Sequence, residues 1–476
     1  MYDYIIIGSG PAGLTLAWYL ATYNKKILLL EREFEIGGCH RVRRVNGLFS
    51  EHGPRIVISN YFSLMDILSE MNIKFDDIFT GYKYPSYSVG KNLLSLMNFK
   101  ELMAFSYEFI KFIFNENPSR NVTMREFTKK YNFKPQVIKY IDIICRISDG
   151  GTIDNYTLFE FLEILNQNIF YNLYQPKLPN DLALFKYWQN ALLQTGNVDI
   201  ILGIEVSFIH NNKDKIDYII AKNKKNNKNI KLKSLNYIFA IPPTSMLKII
   251  KNSSDVNMFG NINNYEKWVN LSKYLVYIPI NFHWNTKVKT RNLQGITDSD
   301  YGISYIVMSD YTNFKDPRSQ TVITCAVKIK DRKSSFNNKT ADECNKEELI
   351  SEVFRQLKIY QPYLPNPTYS ILSPEMYKDK EGKWDSIDSA YFYTKAGYKS
   401  SKSNYNNLFW VGTHNGNSKY SFTAMESAMT NSIAFLHEVV PESKNDVIIE
   451  EPFTIRKLIF IIFILLIFIV YLFSNF

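Results

Sequence analysis

The residues that most constrain this chain stand near its start. Gly8-Ser9-Gly10-Pro11-Ala12-Gly13 is followed, after seventeen intervening residues, by Glu31. Tyr4 to Ile7 reads as a short buried strand, Leu14 to Tyr23 as a helix, and Leu28 to Leu30 as a second strand ending on an acid. A lone GxGxxG is weak evidence, but strand, helix, second strand and acid together predict a complete dinucleotide-binding βαβ unit. In such a unit Gly8 makes the tight turn, Gly10 lets backbone approach a pyrophosphate, and Gly13 lets the helix pack on the strand. The helix N-terminus offers free N–H groups to the anion, and Glu31 accepts hydrogen bonds from ribose hydroxyls.

The stretch from Glu31 to Arg41 carries Gly37-Gly38-Cys39-His40 and resembles the E-x(5)-G-G-R run of flavin amine oxidases and their relatives. Those relatives include protoporphyrinogen oxidases, phytoene desaturases and UDP-galactopyranose mutases. The resemblance implies non-covalent FAD, with the second glycine pair under the diphosphate and ribityl chain. Phe49 to Arg55 is similar to the family segment beneath the isoalloxazine, and Gly53-Pro54-Arg55 is most like the protoporphyrinogen oxidase branch. Val198 to His210 resembles the strand whose Val206 backbone meets the adenine, and Tyr237 to Pro243 the strand-to-loop segment after it. Leu408 to Thr413 resembles the strand ending on the glycine, Gly412, before the last flavin-contacting loop. Thr423-Ala424-Met425 then opens a closing helix whose N-terminus, in the family, faces the flavin edge that turns negative on reduction. The implied cofactor contacts are Gly8, Ser9, Gly10, Pro11, Ala12, Gly13, Glu31, Arg32, Gly37, Gly38, Cys39, His40, Gly53, Pro54, Arg55, Val206, Gly412, Thr413, Thr423, Ala424 and Met425.

The chain departs from the amine oxidases in four places. Cys39 stands where arginine is common, leaving Arg41 or Arg32 as phosphate partners. Ile278 to Trp284 offers no lysine where monoamine and polyamine oxidases carry one, and no cysteine near Tyr420 could attach flavin covalently. Thr413-His414 replaces the acid that often follows the final glycine. The resemblance implies hydride transfer from an amine or apolar small-molecule substrate to flavin N5, with re-oxidation by oxygen or another acceptor. Arg55, Tyr420 and Phe422 are candidate substrate contacts; no catalytic side chain beyond the flavin is assigned. Two alternatives stand beside this reading. One is a non-redox flavin-dependent mutase resembling UDP-galactopyranose mutase, since Tyr420-x-Phe422-x-x-Met425 echoes that enzyme's Y-x-Y-x-x-M. The other is a non-catalytic binding protein on the same fold, like the GDP-dissociation inhibitors.

Of the 476 residues, 46% are hydrophobic, enough for a large core, and the net charge of +10 fits an anionic ligand, an anionic membrane surface, or neither. The lysine-rich run Lys222 to Lys233 has no interleaved aromatics and reads as a solvated hairpin turn, so no nucleic-acid partner is expected. Cys39, Cys145, Cys325 and Cys344 form no CxxC, which excludes a disulfide-reductase flavoprotein and any zinc spacing; no metal site is expected.

The expected fold is α/β: an FAD/NAD(P)-binding Rossmann-like domain (1–60, 195–250 and 405–440) interleaved with an α+β substrate domain (61–194 and 251–404). In the latter, Phe62 to Met71, Phe99 to Phe114, Pro135 to Arg146, Thr157 to Phe170 and Asp181 to Gln194 show helical spacing. Strand signals follow at Tyr274 to Ile280, Gly302 to Met308 and Thr321 to Ile329, then a helix at Lys346 to Leu357. Residues 441–454 read as a linker and 455–476 as a transmembrane tail anchor. At 1.5 Å per residue that stretch spans roughly 30 Å. Arg456 and Lys457 at its edge place the body on the cytosolic side of a single-pass protein.

Overall fold

The structure is a computed structural model. It describes all residues except 52–55, 84–85, 88–92, 94, 150–151, 169, 276, 292–293, 388–389, 393–396, 421–424 and 475–476. Of the site residues expected from sequence, Gly53, Pro54, Arg55, Phe422, Thr423 and Ala424 lie outside the described residues.

The opening segment forms strand β1 (Tyr2–Ile7), helix α1 (Pro11–Thr22) and strand β2 (Ile27–Glu31). Proline at the first helical position starts α1, because its fixed φ suits a helix and its missing N–H would have had no intrahelical partner. β1 and β2 are buried on both faces, so they read as unbroken apolar runs instead of alternating ones. They belong to a five-stranded parallel sheet in the order Leu408–Trp410, Ser234–Phe239, β1, β2, Val198–Leu202. Four segments far apart in sequence thus build one sheet.

On one face of the sheet, α1 packs against the Met425–Val439 helix, and Leu14, Leu16 and Leu20 are fully buried. Each such leucine contributes about 1.5–3 kcal/mol. On the other face lies a three-stranded antiparallel sheet (Ile204–Asn212, Lys215–Asn223, Asn229–Leu232) with the Pro243–Lys251 helix. Val198 to His210 is therefore not one strand. Gly203, at φ +73°, breaks it, so that Val198–Leu202 stays in the parallel sheet and Ile204–Asn212 joins the antiparallel one. A Cβ there would also stand 2.5 Å from the Phe34 ring. The lysine-rich run is the turn and second strand of that sheet's outer hairpin.

The second half of the molecule is β-rich. Its six-stranded sheet runs Tyr369–Leu372, Ile278–Trp284, Thr321–Val327, Ser304–Val307, Gln294–Ile296, Ser86–Tyr87, with the Lys346–Tyr360 helix against its core. The expected strand at Tyr274 to Ile280 is two strands, Lys273–Leu275 and Ile278–Trp284, which enter different sheets. Helices Phe62–Glu70, Phe99–Phe114, Pro135–Asp149, Leu158–Asn168 and Leu184–Gln194 occupy the segments where helical spacing predicted them. The last helix runs Ile455–Ser474. Its described side chains end at Tyr471, and among the described residues no helix is long and apolar enough to cross a membrane.

Candidate functional site

The C-terminal ends of β1 and β2 and the start of α1 open onto a cavity of 390 Å³. Backbone hydrogen bonds set its walls. Gly8 N–H donates to Leu30 carbonyl at 2.8 Å, Gly37 N–H to Ser9 at 2.8 Å, Ala240 N–H to Ile7 at 2.8 Å, and Val411 N–H to Phe239 at 2.8 Å. Four strand ends and the Gly37-Gly38 turn are thereby pinned around one opening.

Gly10 and Gly38 face each other there. Gly38 has φ +59°, and a Cβ on it would meet the Gly10 Cα at 2.8 Å; a Cβ on Gly10 would meet no protein atom closer than 3.6 Å. Gly13 serves packing instead, since a Cβ there would sit 1.9 Å from the Gly8 carbonyl oxygen. No side chain caps α1 and no acid occupies its first turn, so its N-terminal N–H groups face the cavity region with the positive end of the helix dipole.

Glu31 is buried beside this end. The Ser9 N–H and hydroxyl donate to one carboxylate oxygen at 3.0 and 2.7 Å. The Glu33 N–H donates to the other at 3.0 Å, and the Arg41 guanidinium stands 3.6 Å from it. Arg41 also donates to the Gly38 carbonyl at 2.7 Å, and Arg32 donates to the Ile387 carbonyl at 3.0 Å. Both arginines line the cavity, each already held by protein partners.

At the far end, Gly412, Thr413, His414, Met425 and Ala428 close the wall. His414 is buried and stacked on Trp410 with ring centroids 3.7 Å apart. Burial pushes its pKa down to about 3, so the imidazole is neutral. Behind the wall, the Ser432 hydroxyl donates to the Ala12 carbonyl at 3.1 Å, clamping the Met425–Val439 helix to the start of α1.

Of the residues expected from sequence, Gly8, Gly10, Pro11, Ala12, Glu31, Arg32, Gly38, Cys39, His40, Val206, Gly412, Thr413 and Met425 line this single cavity. Ser9, Gly13 and Gly37 do not. Ser9 turns to Glu31, Gly13 abuts Gly8, and a Cβ on Gly37 would meet the Phe185 ring at 2.6 Å. Tyr420 is buried away from the cavity, its hydroxyl donating to the Glu450 carbonyl at 3.3 Å. Sequence reading missed Ser207, Lys222 and Asn229 on the antiparallel strands, and Ser245, Lys248 and Asn252 along the Pro243–Lys251 helix and its cap. Successive steps of three and four residues from Ser245 put those last three on one helix face. That polar stripe after the Pro-Pro pair was the available signal.

Residues 6–71 match the NAD(P)-binding Rossmann-like domain family. The chain is 34% identical over 70 residues to UDP-galactopyranose mutase of Mycoplasma pneumoniae, and 34% identical over 71 residues to that of Mycoplasma genitalium. Each match covers 14% of this chain and only 18% of the relative, so the chain spans less than a fifth of the length of these curated relatives. Solved structures are similar over nearly the whole chain. Putrescine oxidase bound to putrescine has a TM-score of 0.66 at 12% identity, covering 92% of this chain and 99% of that one. An oxidoreductase from Methanosarcina mazei has 0.59 at 14%, covering 91% and 99%. A candidate protoporphyrinogen oxidase from Exiguobacterium sp. 255-15 has 0.58 at 13%, covering 92% and 98%. At these identities the likeness is one of fold: a Rossmann-like domain joined to a β-rich second part.

Proposed function

We propose that the chain binds FAD non-covalently in this cavity and acts as an oxidoreductase on an amine or apolar small molecule. One observation carries the reading: Gly10 and Gly38 bring bare backbone together at the uncapped start of α1, beside a buried, fully oriented Glu31. A side chain at Gly10 would take up space at this opening, and one at Gly38 would collide with the Gly10 backbone and push the two turns apart. The first-turn N–H groups of α1 would hold the diphosphate, Glu31 the ribose, the Val206 backbone the adenine, and Gly412, Thr413 and Met425 the far end. The bound isoalloxazine would supply the hydride acceptor. Neutral His414 and the apolar wall of Val411, Met425 and Ala428 would keep that end dry and free of competing positive charge. Interleaved FAD and substrate domains with the boundaries expected from sequence belong to the same reading.

The test is an absorption spectrum of purified protein, before and after FAD loading, followed by anaerobic titration with a panel of amines. A yellow protein that bleaches with one of them is the expected result. A colourless protein that takes up no added FAD overturns the proposal.

A second reading is favoured by the match to the Mycoplasma mutases. If this chain is a flavin-dependent mutase, a UDP-sugar binds when the flavin is reduced and not when it is oxidised. Equal, negligible binding in both states removes that reading and leaves the oxidase one.

We further propose that the Ile455–Ser474 helix anchors the protein in a membrane, with the body on the cytosolic side. Support comes from the sequence after Lys457, which carries no charge, and from the described side chains Phe460 to Tyr471, all exposed. Beyond its packed first turn this helix is apolar all round and exposed, which calls for an apolar solvent. Carbonate-resistant membrane association of the full chain is expected; release into the soluble fraction would refute it.

A further inference from the structure

We infer that the Phe99–Phe114 helix is a second lipid-contacting element, lying in the interface of a phospholipid bilayer beside the base of the apolar C-terminal helix. The inference builds on the anchoring reading above. Most exposed apolar residues of a soluble surface are scattered singly. Here Phe99, Leu102, Met103, Tyr107, Ile110 and Phe114 are all exposed, Phe99 at 77% and Phe114 at 79%. Steps of three and four residues align them along one side of the helix.

The charges on this helix sort by sign. Its acids point inward: Glu101 is buried and accepts the Lys134 N–H at 2.6 Å, while Glu108 is buried and accepts from Lys130 at 2.9 Å. The exposed side carries Lys100 and, at its edge, Lys111, which reaches back to Glu108 at 3.3 Å. An apolar stripe flanked by lysines, with its carboxylates withdrawn, suits acyl chains below and anionic headgroups around.

Continuity with the C-terminal helix fixes the occupant. Arg456, in the first turn of that helix, pairs with Glu116 at 2.6 Å and donates to the Phe112 carbonyl at 2.8 Å. Its own N–H donates to Asn166 at 3.1 Å. The apolar helix therefore leaves the body at the end of the exposed stripe. Leu165, beside Asn166, and the contacting pair Phe170 and Phe453, with ring centroids 5.3 Å apart, are exposed near the same base. Three segments distant in sequence bring exposed apolar side chains to that base. A protein partner would need no such surface beside an emerging apolar helix; a bilayer does.

The experiment uses the full chain in phosphatidylcholine vesicles with a minor fraction of phosphatidylserine. Single cysteines (Tyr107→Cys, Ile110→Cys, Leu465→Cys and Asn226→Cys) carry an environment-sensitive fluorophore, and labelling of the unsubstituted chain is subtracted. We expect doxyl lipid to quench the labels at 107 and 110 at least threefold more than that at 226, on the hairpin turn. Quenching at 465 with none at 107 and 110 overturns this surface and leaves the anchor standing. Quenching at 107 and 110 but not at 465 refutes the anchor and keeps the surface. No quenching at any of the three overturns both.

Discussion

The backbone N–H of Ser63 donates to the carboxylate of Glu426 at 2.6 Å, and Leu64 N–H follows at 3.2 Å. Glu426 thus caps the Phe62–Glu70 helix from the first turn of the Met425–Val439 helix, whose neighbours Met425 and Ala428 line the cavity. Two N–H donors favour the carboxylate, but complete burial outweighs them and raises its pKa to about 7.

Because the folded-state pKa lies above the ordinary value of 4.5, the folded protein holds this proton where the unfolded chain has lost it. The contribution of Glu426 to stability is therefore greatest below pH 4.5, falls as pH rises to 7, and is constant above. The total change is roughly 3 kcal/mol. Urea unfolding of Glu426→Gln at a series of pH values should show a profile lacking this decline. An unchanged profile would refute the assignment.

His283 and His414 act in the opposite direction. Burial lowers His283 to about 4 and His414 to about 3, so each resists protonation in the folded protein. Their stability contribution is complete above pH 6.5 and is lost as pH falls, at about 1.4 kcal/mol per pH unit for each group. Between 4.5 and 6.5 the two histidines together outweigh Glu426, so the sum of these three contributions falls toward acid. His283 meets the Ser319 hydroxyl at 3.0 Å and the Phe49 carbonyl at 2.9 Å. Glutamine can serve both, so His283→Gln should unfold with an acid limb about one proton shallower.

Gly10→Ala and Gly13→Ala should separate cofactor binding from folding. The Gly13 Cβ would collide with the Gly8 carbonyl at 1.9 Å, and that backbone cannot swing aside. About 3 kcal/mol of lost stability, or an insoluble product, is expected, read as the unfolding midpoint. On Gly10 the nearest protein atom is 3.6 Å away. Gly10→Ala should keep its melting temperature without ligand while FAD affinity, read by flavin fluorescence, drops at least tenfold.

Glu31→Ala leaves the Arg41 guanidinium buried without its carboxylate and removes the acceptor of three hydrogen bonds. A loss of about 3–5 kcal/mol is expected. Glu31→Gln keeps an acceptor oxygen and should lose less stability, while FAD affinity falls in both. A denaturant series alongside FAD titration checks the order.

Local signals carried far into this structure. Glycine spacing, apolar runs and the terminal acid placed β1, α1 and β2, because each depends on residues within one turn or strand of its neighbours. Helical periodicity located five helices of the middle region for the same reason. The break at Gly203 was not read: apolar residues continue on both sides of that glycine, and the division follows from which partner strand each half meets. Tyr420 sat at a spacing that could face a ligand, yet its hydroxyl is taken up by Glu450 thirty residues away.

What the amino-acid order determined alone is the glycine-rich turn and its oriented acid, since both arise within the first 41 residues by short-range geometry. Only the tertiary structure decided which distant side chains complete the cavity. His414 reaches it just past the end of a parallel strand, Lys222 from the antiparallel sheet packed on that parallel sheet and Lys248 from the Pro243–Lys251 helix, and sequence separation carries no record of that gathering. The same holds for the exposed stripe on Phe99–Phe114: amphipathic spacing marks an apolar face, but packing alone settles whether protein covers it.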